Sequence, residues 1–323
     1  MENFKDIAIL VPGKLNEHAK LRVRDTFELI EMESSDPALV TEAIAFKARG
    51  IASMTQISAA LIDKLPKLEI IANFGVGYDS VDAAHANKAG VMVTNTPDVL
   101  TEEVADTTLG LLLNTLREFS SAERYLRENR WTKEGNYRLT PLTLRDRKAG
   151  IFGMGRIGQA IARRLEAFGV QIAYHNRRQA EGLSYEYHST LASLAANVDT
   201  LIVVVPGGES TRDAVNMDIL KALGSNGVLI NVGRGSTVDE DAVAEALKSG
   251  IIAAAGLDVF KQEPHVPQSL MDAPNCVLLP HLGSASEHTR RAMANLCVDN
   301  LVSWFSGKGA MTPVPETRQL QAK

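Results

Sequence analysis

Short apolar runs alternate with helix-length amphipathic stretches from the start of the chain. Residues 7–11, 51–54, 70–72 and 91–93 predict strands, with helical patterns such as 37–48 and 58–65 between them. That alternation predicts parallel βαβ units with helices on both faces of a sheet. Pro97 restrains the residue before it and marks a candidate domain boundary. Residues 101–116 then predict a helix: Thr101 can cap its start, with Glu102, Glu103 and Asp106 near the favourable positive end. The polar stretch 127–147 reads as loop, and its Trp131 is expected to pack on a neighbouring helix or touch a ligand. A second series predicts strands over 149–152, 170–174, 200–205, 227–231, 253–256 and 277–279. Helices over 158–168, 191–196, 217–223 and 240–249 alternate with them, and six such strands fit a dinucleotide-binding plan. Residues 286–304 predict another long helix. The closing segment, with Pro313 and Pro315 and a polar end, is expected to return to the first domain. The expected fold is α/β, with two Rossmann-like parallel-sheet domains: a discontinuous one over 1–98 and 288–323, and a dinucleotide-binding one over 99–287.

Composition acts mainly by exclusion. The 323 residues carry 34 Lys plus Arg against 39 Asp plus Glu, and a net charge of −5 argues against nucleic acid or an anionic membrane as partner. Two cysteines, Cys276 and Cys297, are too few for a disulfide framework or a Cys-rich metal site and read as small buried hydrophobes. The start, MENFKDIAIL, puts no basic segment before a long apolar stretch, and the apolar run at 109–113 is far short of a membrane span. A soluble, cytoplasmic protein is expected.

The most specific local signal is Gly153-Met154-Gly155-Arg156-Ile157-Gly158, which follows the strand-like AGIF and opens an amphipathic helix. In that context Gly153 permits a turn, Gly155 the approach of a pyrophosphate, and Gly158 close helix–strand packing. The end of the next strand bears on the nucleotide. An NAD site usually places Asp or Glu there, whereas this chain has Tyr174-His175-Asn176-Arg177-Arg178. A 2′-phosphate favours guanidinium donors, so NADP(H) is expected, with NADH weaker. The plainer alternative is a pair of arginines solvating a surface loop.

Three later segments carry candidate chemistry: Asn231-Val232-Gly233-Arg234-Gly235, Gly256–Phe260 with Glu263-Pro264, and Pro280-His281-Leu282-Gly283-Ser284. Arg234 can hold the carboxylate of a 2-oxoacid and polarise its carbonyl. His281 can then protonate the oxygen as hydride reaches the carbon, with Glu263 orienting the imidazole. No metal is required. Each residue also has a bland reading: a surface salt bridge for Arg234, a core or helix-start histidine for His281, a solvated loop for Glu263. Asp258 either orients a nicotinamide amide or makes a strand-end hydrogen bond. His85 and His288 read as helix-surface residues.

These motifs resemble the D-isomer-specific 2-hydroxyacid dehydrogenase family over almost the full length. The likeness rests on GMGRIG, NVGRG, GLDVF with Glu263-Pro264, and PHLGS. NFGVGYD, TNTPDVLT, LLPHLGS and the closing TPVP resemble its glyoxylate/hydroxypyruvate reductase branch, including hydroxyphenylpyruvate reductase-like proteins. The resemblance implies that Arg234 anchors substrate, Glu263 orients the histidine and His281 is the acid/base. It also implies a homodimer, a cleft closing between two α/β domains, and the discontinuous domain as the substrate-binding one. Substrate is expected near the Val76 and Gly77 amides, Leu100, and a loop at Ser53-Met54. The cofactor is expected against Thr108, Val205, Pro206, Val232, Gly233, Arg234, Asp258, His281, Gly283 and Ser284, besides the glycine turn. The expected reaction is NADPH-dependent reduction of glyoxylate to glycolate and hydroxypyruvate to D-glycerate. Hydroxyphenylpyruvate and 2-ketogluconate are alternative substrates. A dinucleotide-sensing corepressor-like protein is the alternative of another class, and formate or phosphite oxidation is a third.

Overall fold

The computed structural model describes residues 4–320. Residues 1–3 and 321–323, at the outer ends of the MENFKDIAIL start and the polar closing segment, fall outside the described residues. The chain divides into two compact units, residues 1–100 with 286–323, and residues 101–285.

In the first unit the order is β1 (Phe4–Pro12), α1 (Glu17–Thr26), β2 (Phe27–Met32), α2 (Glu42–Lys47), β3 (Ala48–Ser53), α3 (Ala59–Asp63), β4 (Ile70–Asn73), α4 (Ala83–Lys88) and β5 (Met92–Thr94). The strands form one parallel sheet in the order β2-β1-β3-β4-β5, a doubly wound arrangement. Leu10, Ile51, Ile71 and Val93 bury on it completely. Side chains of Asn16, Thr41, Ser58 and Asp82 cap α1 to α4, taking amides that the first turns leave unpaired.

The expected helix over 37–48 is instead a 3-10 turn, Pro37–Leu39, followed by α2. Val40 and Thr41 are extended, and Thr41 caps a new helix rather than continuing the old one. The pair α1 and β2 had not been predicted. Only Ala19 and Val23 of α1 are buried, and β2 is an edge strand with mixed exposure, so neither carries a clear apolar period.

The second unit runs α5 (Thr101–Arg117), α6 (Phe119–Arg127), α7 (Arg130–Glu134), β6 (Lys148–Phe152), α8 (Arg156–Ala167), β7 (Gln171–His175), β8 (Glu186–His188), α9 (Leu191–Ala195), β9 (Thr200–Val203), α10 (Met217–Leu223), β10 (Val228–Asn231), α11 (Glu240–Lys248), β11 (Ala254–Leu257), α12 (Gln268–Met271) and β12 (Cys276–Leu278). All seven strands are parallel, ordered β12-β11-β10-β9-β6-β7-β8. The order reverses between β6 and β9, the switch point at which such sheets bind dinucleotides.

The seventh strand, β8, is a three-residue addition on β7. Part of the expected 127–147 loop is helical as α7, and Trp131 is 58% exposed, with its indole N–H on Asn136. The packing expected of Trp131 is not met. As its apolar density predicts, α5 buries eight residues; on β11, Gly256 leaves the space in which a Cβ would meet Thr115 Oγ1 at 2.5 Å. Among the described residues no helix is long and apolar enough to cross a membrane.

Helix α13 (Glu287–Phe305) then returns the chain to the first unit. There the Val314 amide bonds the Val93 carbonyl at 3.0 Å, and the Thr317 hydroxyl receives the Val93 amide at 3.1 Å. The closing segment therefore completes the first sheet's edge, as the sequence pattern leads one to expect.

Candidate active site

At the switch point the glycine turn leaves β6 and starts α8. Gly153 has φ +110°, where a side chain is strained, and a Cβ on it would lie 2.9 Å from the Val205 amide nitrogen. Gly155 is exposed, and a Cβ there would meet nothing within 4 Å. Open space beside the first amides of a helix fits a pyrophosphate, which gains from those donors and from the helix dipole. Gly158 is buried, and its absent side chain avoids the Gly153 carbonyl oxygen. Between the glycines, Met154 is buried, Ile157 half-buried and Arg156 exposed at the first position of α8.

The loop after β7 is tied to this turn. Asn176 Oδ1 accepts the Met154 amide at 2.7 Å, so its carboxamide oxygen ties the loop to the glycine turn. The Tyr187 hydroxyl on β8 donates to the Asn176 carbonyl, and the His175 ring donates through Nδ1 to the His188 carbonyl at 2.8 Å. The unpredicted β8 thus supports the segment that leads out of β7. Arg177 and Arg178 follow, both exposed. Val205 is buried and Pro206 exposed just past β9; a Cβ on Gly233 would meet the Val205 carbonyl at 2.8 Å.

Past β10, Asn231 organises the next turn. Its side chain receives the Gly233 amide at 3.1 Å and donates to the Arg234 carbonyl at 3.0 Å; the Thr237 hydroxyl donates to the same carbonyl at 2.6 Å. Arg234, half-buried, turns Nη1 to the Gly233 carbonyl at 2.9 Å, and Val232 is buried beneath.

His281 follows β12 with φ 55°, a left-handed conformation that histidine tolerates better than most residues. Its Nδ1 lies 2.7 Å from Glu263 Oε2, while Glu263 Oε1 accepts the Phe260 amide at 3.0 Å. Desolvation pushes the Glu263 carboxyl up. The His281 hydrogen bond, the Phe260 amide and the positive charges of His281 and Arg234 outweigh it and hold the group below the usual carboxylate range. Because Glu263 occupies Nδ1, Nε2 is the nitrogen left for other chemistry.

Asp258, 1% exposed, accepts the Leu282 amide at 2.6 Å and the Gly283 amide at 2.8 Å, and its carbonyl accepts the His281 amide at 2.9 Å. Burial raises its carboxyl despite those donors. The strand-end hydrogen bonding expected of Asp258 is observed: both oxygens hold the His281 loop. Ser284 is buried behind it. The Thr108 hydroxyl is likewise occupied, donating to the Val104 carbonyl of its own helix at 2.6 Å.

In the first unit, Val76 and Gly77 lie in the turn after β4. Asn73 donates to the Gly75 and Gly77 carbonyls and Asn95 to the Val76 carbonyl at 2.8 Å, so the turn's oxygens are held. Its Val76 and Gly77 amides donate to no backbone carbonyl among the described residues. Such a turn suits a carboxylate. Ser53 is wholly buried with its hydroxyl accepting the Thr55 amide at 2.9 Å, which makes it a turn residue; Met54 beside it is 42% exposed, and Leu100 is buried.

Asn73 and Asn95 sit in the NFGVGYD and TNTPDVLT segments, but only the fold reveals which atoms they hold. Among the described residues no cluster of His, Cys, Asp or Glu could hold a metal ion. Burial pushes both thiols up to about 12, so neither is a ready nucleophile.

The chain is similar to several known proteins. Residues 109–283 match the family described as D-isomer specific 2-hydroxyacid dehydrogenase, NAD binding domain. The glyoxylate/hydroxypyruvate reductase A of Arabidopsis thaliana is 42% identical over 96% of this chain and 100% of its own. A hydroxyphenylpyruvate reductase of Plectranthus scutellarioides is 47% identical over 79% of this chain and 81% of its own. Among solved structures, an NADPH-dependent glyoxylate/hydroxypyruvate reductase of Sinorhizobium meliloti, in complex with NADP and malonate, superposes with TM-score 0.96 at 57% identity, covering 98% and 99% of the two chains. A glycine turn at the switch point, a histidine held by a glutamate and matches of this extent lead to one conclusion: the chain belongs to the D-isomer-specific 2-hydroxyacid dehydrogenase family.

Proposed function

We propose that this protein reduces small 2-oxoacids with NADPH, glyoxylate to glycolate and hydroxypyruvate to D-glycerate. The observation that carries the reading is His281 Nδ1 held 2.7 Å from Glu263, with Arg234 close enough for its charge to lower the Glu263 carboxyl. Arg234 binds the substrate carboxylate and polarises the neighbouring carbonyl. NADPH, when bound, would supply the hydride that adds to the carbonyl carbon. His281 gives its Nε2 proton to the oxygen as the carbonyl π bond breaks, and Glu263 balances the imidazolium before that transfer.

The glycine turn, with the space open at Gly155, holds the pyrophosphate, and exposed Arg177 and Arg178 take the 2′-phosphate. The Sinorhizobium meliloti relative, solved with NADP, supports this cofactor. Residues 99–287 form the dinucleotide-binding domain and residues 1–98 with 288–323 the substrate-binding one. In the first unit the Val76 and Gly77 amides offer donors to a carboxylate.

The protein works in the cytoplasm as a homodimer, without a nucleic-acid partner. Exposed Phe119, Leu126, Trp131 and Leu139 support self-association. A second reading, reduction of hydroxyphenylpyruvate, is favoured by the Plectranthus scutellarioides relative. The His281–Glu263 pair argues for turnover over a purely sensing role.

The test assays glyoxylate, hydroxypyruvate, hydroxyphenylpyruvate and 2-ketogluconate, each with NADPH and with NADH. We expect the highest kcat/KM for the two small acids with NADPH and an R-configured product from hydroxypyruvate. No turnover of any oxoacid, or an S product, would reject the assignment.

A further inference from the structure

Phe260 and Lys261 give consecutive backbone amides to two different carboxylates. Phe260 donates to Glu263 Oε1 at 3.0 Å, and Lys261 donates to Glu240 Oε1 at 2.7 Å. Glu240 opens α11, but Asp239 before it caps that helix by accepting the Ala242 amide. The Glu240 side chain is therefore free of helix duty and turns inward, 6% exposed. A carboxylate in such a place is costly unless its partner needs it. Here the partner is the turn that carries Glu263.

The same turn is pressed from another side. A Cβ on Gly235 would fall 1.9 Å from the Phe260 carbonyl carbon and 2.4 Å from the Lys261 nitrogen, so the two backbones touch with no room for a side chain. Gly235 directly follows Arg234. One peptide unit, Phe260–Lys261, thus meets the Arg234 turn at Gly235 and α11 at Glu240, and from it Glu263 reaches His281. A third tie, from Lys261 Nζ to Asp213 at 2.6 Å, closes the turn's outer side.

We propose that Glu240 is a positioning residue: by gripping the Lys261 amide it sets where Glu263 stands, and through Glu263 it fixes the His281 ring relative to Arg234. This rests on His281 being the proton donor of the proposed reduction. Misplacement by 1 Å can cost about a hundredfold in rate, so a grip two residues from Glu263 is felt at the imidazole.

The experiment compares Glu240→Ala, Glu240→Asp and Glu240→Gln, each also combined with Glu263→Gln, alongside His281→Ala. Gln keeps an oxygen at the same reach; Asp withdraws it by one methylene. We expect kcat to fall about tenfold or more in Ala and Asp while NADPH affinity stays within about twofold, and Gln to stay near the parent. If Glu240 acts through Glu263, adding Glu240→Ala or Glu240→Asp to Glu263→Gln lowers kcat no further. In cofactor-free protein, the downfield proton resonance of His281 Nδ1–H should broaden or vanish in Ala and Asp and persist in Gln. Where Ala does not fold, Asp carries the test. Parent-like kcat and resonance in Asp, or losses that simply add to those of Glu263→Gln, would overturn the proposal. Full activity in His281→Ala would instead overturn the reaction it rests on.

Discussion

Gly158 stands so close to Gly153 that a Cβ built on it would lie 2.2 Å from the Gly153 carbonyl oxygen. That neighbour is backbone, which cannot swing aside. Gly158→Ala should therefore cost about 3 kcal/mol or more of stability, at the upper end of overpacking penalties. Gly155→Ala meets nothing within 4 Å and should fold normally, yet its methyl should obstruct the proposed approach of the pyrophosphate. Thermal melts paired with cofactor titration check the contrast: a lowered Tm for residue 158, and weakened cofactor binding at parental Tm for residue 155.

Arg177 and Arg178 are exposed and follow a loop already fixed by Asn176 and Tyr187, so replacing both with Gln should leave the fold intact. Losing charge-assisted hydrogen bonds to the 2′-phosphate should raise the KM for NADPH about tenfold to a hundredfold while barely moving that for NADH. Equal effects on both cofactors would show that the arginines do not read the 2′-phosphate.

His281→Ala removes the proposed proton donor and should lower kcat about a hundredfold to ten-thousandfold, within the range of general acid catalysis. Arg234→Gln should raise the oxoacid KM as well as lower kcat, because a carboxylate clamp acts in ground and transition states alike. Steady-state kinetics at saturating NADPH separate the two patterns.

Burial raises the Glu240 carboxyl above its usual range despite the Lys261 amide. The folded protein therefore binds this proton more tightly than the unfolded chain. The associated stability is fully present below the unfolded value and is lost as pH rises through the folded one. Glu240→Gln, neutral throughout, should accordingly melt higher than the parent near pH 8, with the gap closing towards pH 4. A gap that widens as pH falls would contradict the sign.

Much of this was legible in the chain. GMGRIG lies where a strand hands over to a helix, and each glycine has its own steric reason. Arg234, Glu263 and His281 could be nominated from strand ends because parallel sheets gather their ligands there. What could not be read was the traffic of single hydrogen bonds. Asp258 and Asn176 are polar groups at strand ends, where ligand contact and loop anchorage leave the same trace in a sequence; their side-chain oxygens accept amides of the protein itself. Ser53 and Thr108 are hydroxyls consumed within a few residues. The helix α1 hid because only two of its residues are buried, and β8 because a three-residue edge strand carries no period.

The return of residues 313–317 to β5 sets an order of events during synthesis. Residues 101–285 are contiguous and leave the ribosome with every strand of their own sheet. The other unit must wait, its β5 border uncovered, until residues 313–317 have also been translated. A nascent chain stalled before Thr312 should thus resist protease over its middle portion while its beginning is still digested.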